Sequence, residues 1–448
     1  MENDEPEMLD QLGDLMTRAK KGGADAADAV YVHGVSLSVS QRLKNPEHFE
    51  RAEGADLGMR VLIGKRQAIV STSDVSPSAI DELLDRALAM AKVVPVDEFC
   101  GLAPEKLLAG QTPDLDECDN KEPEADLLSA IAARAEEAAL AVDGVSNSEG
   151  AEAGWGRNYI ALATSNGFQR ARTRTSFSLS ASVLAGQGTG MERDYDWGTA
   201  VHFEDLPSPE EIGQRAGERA VRRLNPRKAE TRQVPVVFDP RVSLSIPGHL
   251  ASAINGAAVA RGTTFLKDQL GQRVMADAET IIDDPLRRRG LRSKGFDGEG
   301  VPTRRSALVE NGVLQNWVLD LRSARQLGLK STGNASRGTS APPSPSTTNL
   351  FLEAGKISRD ELISPISQGF YVTEMMGHGI SMVTGDYSRG ATGFWIENGH
   401  ITDPVSEVTI AGNLKNMFME ITPANDLVFQ YGTNAPTLRI DGMTIAGK

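Results

Sequence analysis

The stretch Val234–Leu270, VPVVFDPRVSLSIPGHLASAINGAAVARGTTFLKDQL, sets the organisation of the second half of the chain. Its first residues, Pro235–Phe238, are apolar and typical of a buried strand. A turn is predicted at Asp239-Pro240, followed by one helix over Val242–Ala260 that carries Gly248-His249 in its first half. Ala, Ser and Gly surround this helix, so another backbone can approach it closely. A strand, a turn and a crowded helix are a common way to present a catalytic group.

The composition limits the class of protein and of partner. The chain has 448 residues and a net charge of −14, which suits a globular protein of two or three domains without nucleic acid as its main partner, since phosphate binding needs a basic surface. No apolar run is long enough to cross a membrane. The two cysteines, Cys100 and Cys118, suit a reducing compartment, although their role is left open. The acidic N-terminus lacks signal-peptide features, so we expect a cytoplasmic protein.

The first half of the chain predicts antiparallel strands flanked by helices. An amphipathic helix is predicted over Glu5–Lys21, and alternating apolar and polar residues between Asp25 and Thr72 predict strands. Further strands, rich in Ser and Thr, are predicted between Val145 and Phe203. Ser208-Pro209-Glu210-Glu211 then starts another helix with a capping box. The segment Pro95–Glu124, rich in Pro, Asp and Glu, is interpreted as a linker or a surface excursion.

The second half predicts mostly strands and turns. From Phe370 to Lys448 strands follow one another, with a hairpin turn at Asn398-Gly399 and a further strand over Asp426–Tyr431. Two arginine-rich segments, Arg222–Arg232 and Arg287–Arg305, are interpreted as a solvated linker and a solvated surface loop.

These patterns predict an α+β fold with two domains. The N-terminal domain, residues 1–232, has antiparallel strands flanked by helices, with an optional sub-boundary near residues 95–124. The C-terminal domain, residues 233–448, is mostly antiparallel β, as a curved or barrel-like sheet, with a few helices.

The usual catalytic motifs do not occur in the sequence. There is no His-Glu-x-x-His, no Gly-x-Ser-x-Gly and no Gly-x-x-x-x-Gly-Lys-Ser/Thr. The six histidines are scattered, and no two lie within five residues of each other. Spacing alone therefore predicts neither a metal site nor an activated nucleophile.

The most conspicuous remaining segment, Met375–Trp395, is rich in glycine. Such density permits close backbone approach and unusual dihedral angles. One interpretation is a set of tight turns in a curved sheet, which composition alone favours; the other is the floor of a cleft where an extended peptide adds as a strand. The glycines and the polar residues embedded among them are Gly377, Gly379, Gly385, Gly390 and Gly393, with Asp386, Tyr387 and Arg389.

Four quoted stretches resemble the TldD/PmbA family. The segment TGDYSRGATGFWIENGHITDPVSEVTIAGNLKNMF, residues 384–418, resembles its C-terminal block. GHLASAINGAAVARGTTFLKDQLG, residues 248–271, resembles the PmbA (TldE) branch, as do GADAADAVYVHG, residues 23–34, and GMRVLIGKRQAIVSTSD, residues 58–74. The resemblance implies a bacterial cytosolic assembly of TldD and TldE, a zinc-dependent protease that acts on unfolded peptides and matures peptide antibiotics.

The resemblance also implies that this chain lacks the zinc site. The TldD branch carries His-Glu-x-x-x-His on the helix of the opening stretch and a cysteine ligand in the C-terminal domain. Placed on this sequence, the three motif positions fall on Gly248, His249 and Ala253, and no cysteine follows Cys118. Glycine and alanine side chains offer zinc no donor. The expectation is a chain without a cofactor of its own, with zinc in the partner.

The expected role is a metal-free, non-catalytic subunit that pairs with a TldD-type chain and helps to hold an extended peptide. Alone, the chain has a symmetric homodimer as one possible assembly, and the sequence leaves its oligomeric state open. Two alternatives stay open: an independent protein-binding modulator, as the older gyrase-modulator label suggests, and a peptidase with a divergent site built from histidines and carboxylates. The candidate residues of the substrate cleft are His249, His378, Gly379, Asp386, Tyr387 and Arg389.

Overall fold

A computed structural model describes residues 4–447 of the chain, with side chains from Glu7 onward. The N-terminal unit is a six-stranded antiparallel sheet in the order β3-β2-β1-β4-β5-β6. Its strands are β1 (Ala26–Arg42), β2 (Asn45–Ile63), β3 (Arg66–Thr72), β4 (Val145–Thr164), β5 (Gln169–Ala185) and β6 (Glu192–Ala200). Its helices are α1 (Asp4–Lys21), α2 (Pro77–Val93), α3 (Ala125–Leu140) and α4 (Pro209–Arg222), with short 3-10 turns at Glu105–Leu107, Gly188–Gly190 and Phe203–Asp205.

The C-terminal unit contains the remaining elements. Its helices are α5 (Pro240–Ser243), α6 (Ser245–Ala253), α7 (Gly256–Arg261), α8 (Leu321–Leu327), α9 (Arg359–Ile363) and α10 (Leu414–Met419). Its longer strands are β7 (Arg232–Phe238), β9 (Ser306–Glu310), β14 (Gln368–Ile380), β15 (Asp386–Glu397), β16 (His400–Asn413) and β19 (Leu438–Ala446). Its short strands are β8 (Ile281–Asp283), β10 (Val313–Leu314), β11 (Ala335–Ser336), β12 (Ser344–Pro345), β13 (Leu350–Leu352), β17 (Ile421–Pro423) and β18 (Thr433–Asn434).

Five of these strands close into a barrel. The order is β16-β15-β14-β7-β19, and β19 pairs again with β16 through Thr409–Ala411 and Thr444–Ala446. Only the β7–β14 pair is parallel. Closure removes sheet edges wherever the strands are paired. The predicted α+β class, with a barrel-like C-terminal sheet, is confirmed.

Helices cover one face of the N-terminal sheet. Helix α1 packs mainly on β4 and β1, and α2 packs on β3 and β2. Helix α3 packs on β4, β1 and β5, and α4 packs on β6 and β5. Each pair of helices, α1 with α2 and α3 with α4, has its own apolar core. The capping box predicted at Ser208 and Glu211 is present at the start of α4. The hairpin turn at Asn398-Gly399 is also present, with φ of 49° and 77°. No helix among residues 4–447 is long and apolar enough to cross a membrane.

The single helix predicted over Val242–Ala260 is wrong, because the chain forms three short helices there. The second break lies between α6 and α7. There the backbone N–H of Gly256 donates to the carbonyl of Val318 at 2.8 Å, and the N–H of Val318 donates to the carbonyl of Ile254 at 3.1 Å. The side chain of Asn255 accepts from the N–H of Ala257 and so begins α7 anew. A neighbouring strand-like segment therefore takes the hydrogen bonds that would continue the helix.

Two loop predictions need correction, and a third is narrowed. Of the two interpretations of Pro95–Glu124, the surface excursion agrees with the structure: the segment is irregular and packs on the C-terminal unit, where the Arg325 guanidinium donates to the carbonyls of Phe99, Gly101 and Leu102. The Arg287–Arg305 segment is not a solvated loop, because Ser293, Phe296, Asp297 and Glu299 within it are buried. Arg223, in the predicted solvated linker, is buried too. The strand predicted over residues 426–431 is wrong, because these residues form no strand. The individual predictions also do not include helices α8 and α10 or strand β19.

The two units share the buried ionic cluster of Asp28, Arg60 and Arg337. Asp28, on β1, accepts from Arg60 on β2 and from Arg337 of the C-terminal unit, and all three side chains are at most 4% exposed. Burial alone would raise the pKa of Asp28, but the charges of Arg337 and Arg60 outweigh it and hold this pKa below its usual value. We keep the division into residues 1–232 and 233–448 as a proposal; this cluster fastens the two parts together.

Replacing Asp28 with Ala should destabilise the chain strongly, because two buried guanidinium groups would lose their shared carboxylate. We expect the free energy of unfolding to fall by about 3–5 kcal/mol, measured by urea denaturation. The matched control is Glu210→Ala, which breaks the ion pair with Arg134, both side chains being 54% exposed; its expected cost is small, because water screens an exposed ion pair. Similar losses in both variants would contradict a structural role for the buried cluster.

Candidate functional site

Helix α6 carries the positions on which the family resemblance places a zinc site. Ile246, Leu250 and Ala253 face the barrel core and are fully buried. Gly248 lies on the opposite side, where a β-carbon would meet no atom within 4 Å. The helix is therefore anchored along one face and open at Gly248.

His249 lies beside Gly248 and packs edge-on against Tyr387 of β15, with ring centroids 5.9 Å apart. Its Nε2 atom is buried and has no hydrogen-bond partner among residues 4–447. Burial lowers the pKa of His249 to about 4, and the charge of Arg389 acts in the same direction. The Tyr387 hydroxyl donates to the sulfur of Met375 at 3.2 Å, and burial raises the Tyr387 pKa. The imidazole is thus neutral at neutral pH.

This donor set does not fit zinc. Gly248 has no side chain, the Ala253 side chain is a buried methyl group, and only His249 offers a nitrogen. A zinc ion needs three or four N, S or O donors. Within the described part of the chain, no group of three or more His, Cys, Asp or Glu side chains is arranged to hold a metal ion. The arrangement gives no support to a divergent metal site at His249 and His378.

Beside α6, strand β14 has an open edge. β14 pairs in parallel with β7 only through Phe370–Val372, and β7 ends at Phe238, whereas β14 continues to Ile380. On its other side β14 stays paired with β15 to its end. The N–H and C=O groups on the β7 side of residues 373–380 therefore find no partner strand in the described structure. Residues 376–379 are exposed.

The glycines make this hairpin possible. A β-carbon at Gly379 would lie 2.3 Å from the carbonyl oxygen of Ser388, and one at Gly393 would lie 1.9 Å from that of Tyr371. Gly377 has φ of 78° inside a bulge between Met376 and Gly379. Both interpretations of the segment thus apply in part: it is a curved, bulged hairpin, and it leaves an exposed edge.

The structure brings together three of the six predicted cleft residues. His249 and Tyr387 are in contact, and the charge of Arg389 acts on both of their pKa values. His378 and Gly379 lie on the exposed part of β14. Asp386 has a different role: it accepts from the hydroxyl of Thr384 at 2.6 Å and the amide of Asn413 at 3.1 Å, which orders the turn of the hairpin.

Sequence reasoning missed the residues that fix the open edge. Arg223 donates to Glu374 of β14 at 2.6 Å and to Asp194 of β6 at 3.4 Å. Asp194 also accepts from Arg241 of α5 at 2.8 Å. These four residues tie the start of the open edge to the N-terminal unit. Arg223 stands in a run of exposed charges, so no local pattern distinguishes it; only the tertiary pairing does.

Comparison with known proteins agrees with the fold and identifies the family. Three family profiles match the chain: PmbA/TldA metallopeptidase domain 1 at residues 27–91, the central domain at 118–224 and the C-terminal domain at 231–447. The chain belongs to the PmbA/TldD metallopeptidase family. Within it, the chain is a member of the PmbA (TldE) branch, with a protease-family role.

Two PmbA relatives match nearly the whole chain, and a TldD homolog matches about two thirds of it. Metalloprotease PmbA of Escherichia coli O157:H7 is 37% identical over 443 residues, 98% of this chain and 96% of that protein. A PmbA homolog of Haemophilus influenzae is 37% identical over 446 residues, which cover 99% of this chain and 97% of that protein. A metalloprotease TldD homolog of Buchnera aphidicola is 27% identical over 319 residues, covering 64% of this chain and 65% of that protein.

Solved structures share the fold. A proposed modulator of DNA gyrase from Bacteroides thetaiotaomicron has a TM-score of 0.90 at 27% identity, with 100% of both chains covered. TldE from Thermococcus kodakarensis has a TM-score of 0.87 at 22% identity, covering 97% of this chain and 99% of that one.

Stability should depend on pH through His249. Its pKa of about 4 lies below the ordinary value of 6.5, so the unfolded chain binds a proton first as the pH falls. The stability of the chain with a neutral, buried His249 is fully present above about pH 6.5, and part of it is lost progressively as the pH falls toward 4. Between pH 7 and pH 5, the free energy of unfolding of the parent chain should fall by about 2 kcal/mol more than that of His249→Leu, as measured by urea denaturation at each pH. Parallel pH curves would contradict a neutral, buried imidazole.

Proposed function

We propose that this chain is the non-catalytic, metal-free subunit of a zinc protease whose metal lies in a TldD-type partner. The proposal rests on the side chains available to bind a metal. Of Gly248, His249 and Ala253, only His249 offers a nitrogen, and burial keeps its imidazole neutral. A hydrolytic zinc site needs three protein ligands and a general base. Helix α6 is present, but it lacks the side chains that would bind zinc. We expect this combination in a subunit that assists the active site of its partner.

The open edge of β14 is the proposed peptide-binding element. An extended peptide can add there as a strand, because residues 373–380 offer backbone donors and acceptors to it and residues 376–379 are exposed. Main-chain pairing does not depend on the side chains of the peptide. Only an unfolded segment has its own backbone groups free to pair. The proposed substrate class is therefore unfolded or extended peptides of varied sequence.

The proposed partner is a TldD-type chain of the same family. The similarity of this chain to TldD homologs is compatible with two related subunits that share one architecture. In the absence of that partner, a symmetric homodimer is the alternative assembly.

Peptidase activity should require both chains. We expect the isolated chain to bind substoichiometric zinc and to cleave no unfolded peptide, whereas mixing it with a zinc-loaded TldD-type chain should give activity. His249→Ala should leave that activity within about twofold, because a neutral, buried imidazole donates nothing to the reaction. The measurements are metal content by mass spectrometry and cleavage of a fluorogenic unfolded peptide. The matched control is replacement of the first histidine of the partner's motif, which should abolish cleavage.

Two results would overturn the proposed function. One is stoichiometric zinc with peptidase activity in the isolated chain. The other is a TldD-type activity that this chain does not change. A chain that binds no TldD-type protein would favour the independent modulator, a role that has the support of the gyrase-modulator names of similar structures.

Main-chain recognition can be tested by methylating the backbone of the peptide. N-methylation removes one N–H donor, and in an added strand only every second residue points its N–H to the neighbour. Scanning N-methylation along a bound peptide should therefore give weakened and unaffected positions in alternation, with about tenfold losses at the weakened ones. Fluorescence anisotropy with the assembled complex measures this. Uniform losses, or none, would contradict strand addition.

A further inference from the structure

A cleft separates the N-terminal unit from the C-terminal segment 426–437. It contains two adjoining cavities of about 320 and 240 Å³, which share Gln430, Tyr431 and Asn434 as a common wall. Together the cavities are lined by seven arginines and four aspartates, without lysine or glutamate. The chain as a whole carries a net charge of −14. The cleft is therefore a local basic region in an acidic protein, and such a region attracts anions.

The arginines of the larger cavity differ in their partners. Arg289 is satisfied by three carboxylates, those of Asp116, Glu204 and Asp205. Arg288 pairs with Asp116 at 3.1 Å. The guanidinium of Arg287, in contrast, forms no hydrogen bond or ion pair with any described residue.

Arg287 is nevertheless held in a defined place. Its guanidinium lies 3.6 Å from the centroid of the Phe429 ring, and Phe429 itself packs edge-on against Phe351 at 5.0 Å. Stacking on an aromatic face orients the planar group while leaving its N–H donors free. Burial lowers the pKa of Arg287, with only a partial opposing effect from Asp284. A cation that is partly desolvated and unpaired would gain from a bound anion.

The same cavity is bordered by a second oriented polar group, the Tyr431 hydroxyl. Tyr431 stacks on Trp197 of β6 with ring centroids 4.6 Å apart. Its hydroxyl forms no hydrogen bond within residues 4–447, and Tyr431 lines both cavities. An arginine and a phenol, each fixed by an aromatic neighbour, therefore border one cavity.

We propose that the 320 Å³ cavity beside Arg287 binds an oxyanion, a carboxylate or a phosphate, with the Arg287 guanidinium as its principal donor. No residue lining this cavity belongs to α6 or to β14, and the proposal does not rest on the proposed function. The carboxylate could belong to a peptide and the phosphate to a small metabolite; the chemistry of recognition is shared.

Calorimetric titration of the full chain tests the site in a chloride buffer at low ionic strength. The two probes are inorganic phosphate and a short peptide with a free C-terminal carboxylate, the latter compared with its C-terminal amide. At least one probe should bind, and added salt should weaken the binding. Binding of phosphate alone, or of the free-acid peptide alone, would identify the source of the anion and support the site. Binding of neither at millimolar concentration would overturn it.

Substitution then assigns the binding to Arg287. Arg287→Gln should weaken the anion at least about tenfold, since a charge-assisted hydrogen bond is lost. Arg287→Lys, which keeps the charge, should weaken it less. The matched control is Arg51→Gln, whose side chain is 45% exposed and lines neither cavity; it should bind as the parent does. Equal affinity in the parent and Arg287→Gln, or equal losses in Gln and Lys variants, would overturn the assignment.

Discussion

The difference in length between β7 and β14 determines the geometry around the candidate site. β7 ends after seven residues, and its neighbour has thirteen. The chain leaves the barrel at Asp239, whose N–H donates to the carbonyl of Val372, while its carboxylate accepts from the N–H of Arg241 and from the Tyr371 hydroxyl. One aspartate thus ends the strand, caps α5 and fixes the partner strand. On that edge no strand among the described residues pairs with β14 beyond Val372, and α5 and α6 follow Asp239 along the chain.

This geometry separates two properties that a peptidase normally combines. The barrel holds α6 through buried contacts of Ile246, Leu250 and Ala253, so the helix keeps its place without any metal ligand. The unpaired groups at the edge of β14 belong to the backbone, and the ion pair that holds its beginning, Arg223 with Glu374, lies outside α6. The absence of zinc donors on α6 is therefore compatible with both the helix and the strand edge. Under the proposed function, the edge binds a peptide and the partner cleaves it.

The sequence predicted elements whose signals are local. The capping box at Ser208, the turn at Asn398-Gly399 and the alternating strands between Asp25 and Thr72 each depend on neighbouring residues, and each is present. The vacated motif on α6 could be placed only through the family resemblance. The breaks in the predicted helix and the burial of Arg223 could not be predicted, because Val318 and Glu374, their partners, are distant in sequence. At the helix breaks and at Arg223, tertiary hydrogen bonds and ion pairs determine the structure and override the local propensity of the sequence.

The same long-range pairing holds the beginning of the open edge, which pairs with no strand on the β7 side within residues 4–447. Glu374 stands at its beginning and is held by Arg223, which also contacts Asp194; Asp194 in turn holds Arg241 on α5. Arg223, Asp194 and Arg241 are largely buried, so their ion pairs are screened little by solvent. The strand edge, the start of the helical segment and the last strand of the N-terminal sheet therefore form one connected group. Because Asp194 bonds to both arginines, the edge of β14 and α5 cannot shift independently without leaving a buried charge unpaired, and such a charge is costly.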